Sequence, residues 1–233
     1  MKEYGDEYPA VAVFSGARMP LAREGRWSRE YEHPETKAVL VISRFQDGSA
    51  SISLRDLERE WPCWNAWERM EFCQASAWLN KSPEFPDMLR YIMRTGGPDD
   101  WSGIAGSVGH SLPSDEAFDL LSNALAATPF GRTANVTQGI AMTKHPDAAS
   151  LLRVHLDALW REPSLWDDDS FTNWLAFDAI TCIEHLLELG ASSDELRGRV
   201  ELLSRHVCKG TRESVHGFLG KHYPWLAMMQ HDR

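Results

Sequence analysis

From about residue 57 onward the sequence is divided into helix-length pieces by its own start and stop signals. The run LRDLEREWPCWNAWERMEFCQASAWL carries Leu57, Trp61, Trp64, Phe72, Ala75 and Leu79 at helical spacing, with Cys63, Trp67, Met70 and Trp78 beside them. Pro62 marks a break, or the first turn of a second helix. Trp61, Trp64 and Trp67 could line a ligand box, but aromatic stripes at this spacing are usually core, so packing is the expected role.

The punctuation then becomes regular. Ser82-Pro83 opens a helix over 84–95, which Gly96-Gly97-Pro98 closes. Asp100 opens 101–110, Ser114 opens 115–127, and Gly131 precedes 132–143. Pro146 starts 147–161, the aspartates after Trp166 start 169–189, and Gly190 ends that helix. Ser192 with Glu195 forms a capping box for 194–206, and Thr211 opens 211–222.

These helices come as four pairs of roughly 30 to 45 residues joined by short turns. Apolar positions recur between pairs, Phe118, Leu121 and Leu125 against Leu152, Leu156 and Leu159. The layout resembles, in pattern and not in identity, the HEAT-repeat family of α-solenoids over about residues 84–222. That resemblance implies a mainly α fold of HEAT-like stacked antiparallel helix pairs, with a small N-terminal β-hairpin region. A compact helical bundle is the alternative.

The β region is expected at AVLVISRFQDGSASISL, where Asp47-Gly48 favours a two-residue turn because both positions need φ > 0. Pairing across it puts Val41, Phe45, Ala50, Ile52 and Leu54 on one face and Arg44, Gln46, Ser49, Ser51 and Ser53 on the other. AVAVF, residues 10–14, is a candidate third strand, and SGARMPLAREGRWSREYEHPETK between them is expected to be a long surface loop. A hairpin alone is marginally stable. Residues 1–56 are therefore expected to pack on a helical-repeat region, 57–233, within one structural domain.

Charge narrows the partners. With 34 acidic against 24 basic residues the net charge is −10, which repels a phosphate backbone and steers basic proteins in. Cys63, Cys73, Cys182 and Cys208 form no C-x-x-C pair and read as reduced core thiols. The start, MKEYGDEYP, holds no apolar signal region, and no apolar run approaches the ~20 residues of a membrane span. A cytoplasmic protein is expected, with no membrane and no nucleic acid among its partners.

The densest chemical signal is WDDDSFTNWLAFD, residues 166–178. As an EF-hand loop it fails, since Phe171, Thr172 and Asp178 fall where a ligand, the turn glycine and the bidentate glutamate belong. As a helix start it succeeds, because acidic groups suit the positive end of the helix dipole. Asp178 lies within the apolar stripe Phe171, Trp174, Leu175, Ala179, Cys182, Ile183, Leu186, so it is expected to hydrogen-bond a neighbouring helix. In GIAGSVGH, Gly103, Gly106 and Gly109 are spaced for close helix packing and not for a phosphate loop. His206, Cys208, His216 and His222 match no zinc spacing. No catalytic residue, cofactor or metal is expected.

The function expected is a non-enzymatic protein–protein interaction module for a basic protein partner, in one version an immunity protein neutralising a bacterial toxin. Its oligomeric state is left open. A regulatory or scaffold adaptor is the alternative. The alkylpurine DNA glycosylases, a HEAT-like class using tryptophans and an aspartate in a concave groove, are a further one. Their groove must be basic, whereas residues 61–233 carry 15 Lys and Arg against 23 Asp and Glu. The expected partner-binding edge is Asp99, Asp100 and Trp101 with Trp166, Asp167, Asp168 and Asp169. Arg132 and Lys209 begin the alternate pairs, so the sign of charge alternates along it. The competing role for these residues is capping and packing alone.

Overall fold

The first tight turn is made at Ser15-Gly16, where both residues take positive φ, 49° and 80°. That conformation matches the twist of a two-residue hairpin. It joins β1 (Val11–Phe14) to β2 (Ala17–Glu24), with Phe14 opposite Ala17. β3 (Ser28–Glu32) and β4 (Val39–Ser43) extend the sheet in sequence order, all antiparallel, with Tyr31 opposite Leu40. Ala12, Met19, Tyr31 and Ile42 form its buried face. The computed structural model describes residues 10–167 and 172–228.

Two expectations about this region are corrected. Asp47-Gly48 does not turn a hairpin, and residues 50–53 are not a strand. The Asp47 carboxylate is taken instead by Arg29 of β3 at 2.7 Å, in a pair whose side chains are 7% and 4% exposed, and by the backbone N–H of Ser49 at 2.8 Å. The 44–50 segment therefore folds as a loop, and β4 pairs backwards with β3. The stretch expected as a surface loop, 15–37, holds β2 and β3.

α1 (Leu54–Glu60) starts at Ser53, whose side chain accepts from Asp56 N–H, and α2 (Ala66–Ala75) at an Asn65/Glu68 capping box. Pro62 lies in a short 3-10 segment between them. Trp61 and Trp64 pack as expected, meeting Trp27 and Phe72 at centroid separations of 5.2 to 6.3 Å. Trp67 is half exposed under the Arg23 guanidinium, 4.5 Å away. Buried Glu71 on α2 accepts from Trp27 N–H, Ser28 N–H and Ser28 O–H, which fixes the β2–β3 turn on the helix.

The chain divides into two compact units, 1–91 and 92–233, with the boundary inside α3 (Phe85–Thr95). The second unit holds α4 (Pro98–Ser111), α5 (Ser114–Ala127), α6 (Ala134–Thr143), α7 (Ala148–Leu159), α8 (Trp174–Glu188), α9 (Ser193–Leu203), α10 (Lys209–Leu219) and a last turn, α11 (Trp225–Met228). The chain is thus mainly helical with a small N-terminal β region, the class expected.

Within the second unit α6 packs on α4, α5, α7 and α8, and α8 packs on α7, α9 and α10. α4 and α6 come closest: a Cβ at Gly139 would stand 2.5 Å from the Ala105 carbonyl oxygen. Of the glycines read as a packing stripe, Gly109 serves this approach, whereas a Cβ at Gly106 would meet only the Met142 sulfur at 3.6 Å. α8 starts five residues later than expected. Its cap is Asn173, whose Oδ1 accepts from Leu175 and Ala176 N–H while its Nδ2 donates to the carbonyls of Ser164 and Asp167. Among the described residues no helix is long and apolar enough to cross a membrane.

Candidate functional site

The edge residues separate by what their side chains do. Asp99 is exposed and pairs with Arg132, two residues before α6, at 3.0 Å. Asp100 is buried and accepts from Gly97 N–H at 2.9 Å, capping α4. Trp101 is half-buried, and its indole N–H has no partner among the described residues. Trp166 ends a 3-10 segment, Pro163–Trp166, edge-on to Trp160 and stacked on His206 at 5.8 Å. Asp167 follows it with an exposed side chain; Asp168 and Asp169 lie outside the described residues.

A concave site lies elsewhere in the second unit. α5 and α7, with the 128–130 connection, enclose a cleft of about 410 Å³. Leu125, Phe130, Leu151, Val154 and Ala158 make it apolar, and His155 is among its lining residues. Phe130 and Val154 are exposed, at 37% and 65%.

Below it runs a buried hydrogen-bond chain. Asp178 accepts from Gly131 N–H at 2.7 Å, Thr133 N–H at 3.0 Å, Thr133 O–H at 2.6 Å and Ala134 N–H at 3.1 Å. It thereby caps α6 from α8, the inter-helix bond its place in the apolar stripe required. Because the Thr133 hydroxyl spends its proton on Asp178, its oxygen must accept from His155 Nε2, 3.0 Å away. This fixes the tautomer: Nε2 carries the proton and Nδ1 keeps its lone pair. Nδ1 has no hydrogen-bond partner among the described residues.

Burial sets the charges. It pushes His155 down to about 4 from an ordinary 6.5, so the imidazole is neutral near pH 7. Burial also raises the Asp178 carboxyl above its ordinary value, while the donors on Thr133, Gly131 and Ala134 pull it back. At neutral pH the Thr133 hydroxyl is saturated and fully buried, and His155 is a poor base. The constellation therefore holds an acceptor in place beneath an apolar cleft and does not arm a nucleophile.

Of the other candidate groups, His206 and Cys182 are occupied by structural bonds, His222 Nε2 is buried without a partner among the described residues, and Cys63, expected in the core, is exposed. His206 Nε2 donates to the Leu165 carbonyl at 2.7 Å, and its Nδ1 accepts from Cys208 N–H at 3.0 Å. The Cys182 thiol is pushed up by burial and by the Asp178 charge, and it bonds the Leu152 carbonyl at 3.3 Å. Among the described residues no three His, Cys, Asp or Glu side chains group to hold a metal. Sequence reasoning passed over His155 and Thr133. The available signal was a histidine on the stripe of Leu152, Leu156 and Leu159, a polar residue on an apolar face like Asp178. No family model matches the chain, nor does any curated protein or solved structure.

Proposed function

We propose that this chain is a non-enzymatic interaction module whose second unit captures a basic protein. The observation that carries the proposal is the α5–α7 face, where an apolar cleft with exposed Phe130 and Val154 shares its helix lines with the exposed carboxylates of Asp115, Asp119 and Asp147. The unit as a whole holds 19 acidic against 12 basic residues. Such a surface attracts cationic partners over a Debye length and then desolvates apolar area on contact. The α5–α6, α7–α8 and α9–α10 pairs, with α4, α6, α8 and α10 packed in succession, support a HEAT-like stack as the scaffold. Asp99, Trp166 and Asp167 belong to a second contact edge in this proposal.

The test is capture on the immobilised full chain from an extract of the encoding organism, with partners identified by mass spectrometry. A basic partner released by moderate salt is expected. Retention of acidic proteins only, or salt-insensitive retention, would defeat the proposal. If the partner is an enzyme whose activity falls on binding, the module is an inhibitor of the immunity type; unchanged activity makes it an adaptor. Duplex DNA should not bind at physiological salt, and micromolar affinity with a steep salt slope would bring the glycosylase class forward.

A further inference from the structure

No side chain lining the α5–α7 cleft has a proton free to donate. The Ser122 hydroxyl on its wall already donates to the Phe118 carbonyl at 2.6 Å, and the Thr128 hydroxyl to the Ala124 carbonyl at 2.7 Å. The one proton of His155 is held by Thr133. The lone pair of Nδ1 is the lining side-chain acceptor left without a partner among the described residues. An apolar occupant with one hydrogen-bond donor complements it. An indole has that donor and no lone pair, whereas a phenol adds oxygen lone pairs that no lining side chain satisfies. The volume of about 410 Å³ is at the low end of ligand pockets, which run about 300 to 1,000 Å³.

The cleft also continues beyond its apolar part. Asp115 is seven residues before Ser122 on α5 and Asp119 seven before Ala126, two turns back along the same lines. Asp147, the residue before α7, stands four, seven and eleven residues before Leu151, Val154 and Ala158, on the same line of that helix. At 1.5 Å per residue the carboxylates stand about 10 Å from the cleft, and about three residues of extended chain span that gap. Asp119 has no ion pair among the described residues, and Asp115 and Asp147, which stand 3.6 and 3.9 Å from the His145 ring, are 93% and 74% exposed.

We infer that the cleft seats a tryptophan of the basic partner, its indole N–H donating to His155 Nδ1, with a Lys or Arg about three residues away in extended chain meeting Asp115, Asp119 and Asp147. This rests on the interaction-module reading and specifies its anchor. Tryptophan in a pocket with a charged neighbour is a common arrangement at binding hot spots.

The probe is the peptide acetyl-Trp-Ser-Ser-Lys-amide, titrated into the isotope-labelled full chain and followed by amide chemical shifts. Ser122, Leu151, Val154 and His155 are expected to shift in one saturating transition. An analogue with 1-methyltryptophan, which lacks the donor, should bind about tenfold more weakly. Replacing Lys by Glu should weaken binding in a salt-dependent way. His155→Phe should erase the discrimination against the methylated analogue. Val154→Arg alters an exposed position, so it keeps the fold, and it should abolish the shifts. No cleft shift at millimolar peptide, or equal binding of the methylated analogue, overturns the inference. A captured basic partner that binds Val154→Arg unchanged also overturns it, while leaving the broader reading intact. Cleft shifts with no basic partner captured support the inference and defeat the broader reading.

Discussion

Gly109 on α4 lies so close to Gly139 on α6 that a Cβ at Gly109 would overlap the Gly139 carbonyl oxygen. Gly139→Ala should therefore separate the helices and cost about 1 to 3 kcal/mol. Gly106 is the control, since a Cβ there meets only the Met142 sulfur at an ordinary 3.6 Å. Gly106→Ala should be neutral or stabilise by up to about 1 kcal/mol through helix propensity. Denaturant midpoints for the two variants should move in opposite directions; a shift of the same sign would contradict the close crossing.

Removing the Asp178 carboxylate strands the N–H groups of Gly131, Thr133 and Ala134 together with the Thr133 hydroxyl. Asp178→Ala should cost about 3 kcal/mol or more, and Thr133→Val, which leaves the backbone donors satisfied, less. Urea unfolding gives both numbers, and equal losses would show that the cap is not the main contribution.

Acid should weaken the second unit through His155. Its folded pKa lies below that of the unfolded chain, so its contribution is complete above about pH 6.5 and is lost as pH falls toward about 4. A full shift of this size corresponds to roughly 2 to 4 kcal/mol. Asp178, raised by burial, acts in the opposite sense and offsets part of the loss. Unfolding midpoints measured between pH 7 and 4.5 should fall, and His155→Gln should flatten the fall. A variant with the parent's slope would exclude His155 as the source.

The Arg29–Asp47 pair carries the corrected account of the β region. Asp47→Ala leaves a guanidinium that is 7% exposed without its nearest carboxylate and should cost about 3 kcal/mol. An Asp47-Gly48 hairpin tip would instead tolerate the change within about 0.5 kcal/mol. Thermal melting of the full chain separates the two.

On the proposed edge, changing Asp167 and Asp168 to Asn keeps side chains able to cap. Melting temperature should stay level while affinity for the captured partner falls. Affinity unchanged in the double variant would remove Asp167 from the contact.

The helices were legible because each carries its own signal: an apolar stripe, a cap, a closing glycine. Ser192, read as a cap from its spacing, does start α9, its side chain accepting from Asp194 N–H. The sheet was misread because its turns compete. Ser15-Gly16 and Asp47-Gly48 are both turn pairs, and the choice is made by Arg29, eighteen residues from Asp47 and invisible to local spacing. α8 was misplaced for a related reason. Three aspartates suit a helix start electrostatically, yet Asn173 takes the cap by binding the carbonyls of Ser164 and Asp167 as well. The cleft could not be read at all, since its polar chain joins residues 22 and 45 positions apart. What the sequence did show was that Asp178 needed a partner, and that partner lies at its floor.

The Asp178 cap also imposes an order in time. During synthesis the first N–H groups of α6 leave the ribosome 44 to 47 residues ahead of the carboxylate that accepts from them. At about 5 to 20 residues per second this leaves an interval of roughly 2 to 9 s in which only water can serve those groups. Any nascent or truncated chain ending before Asp178 lacks the acceptor for a helix that is otherwise complete, so damage at the C-terminal side is felt some 45 residues upstream.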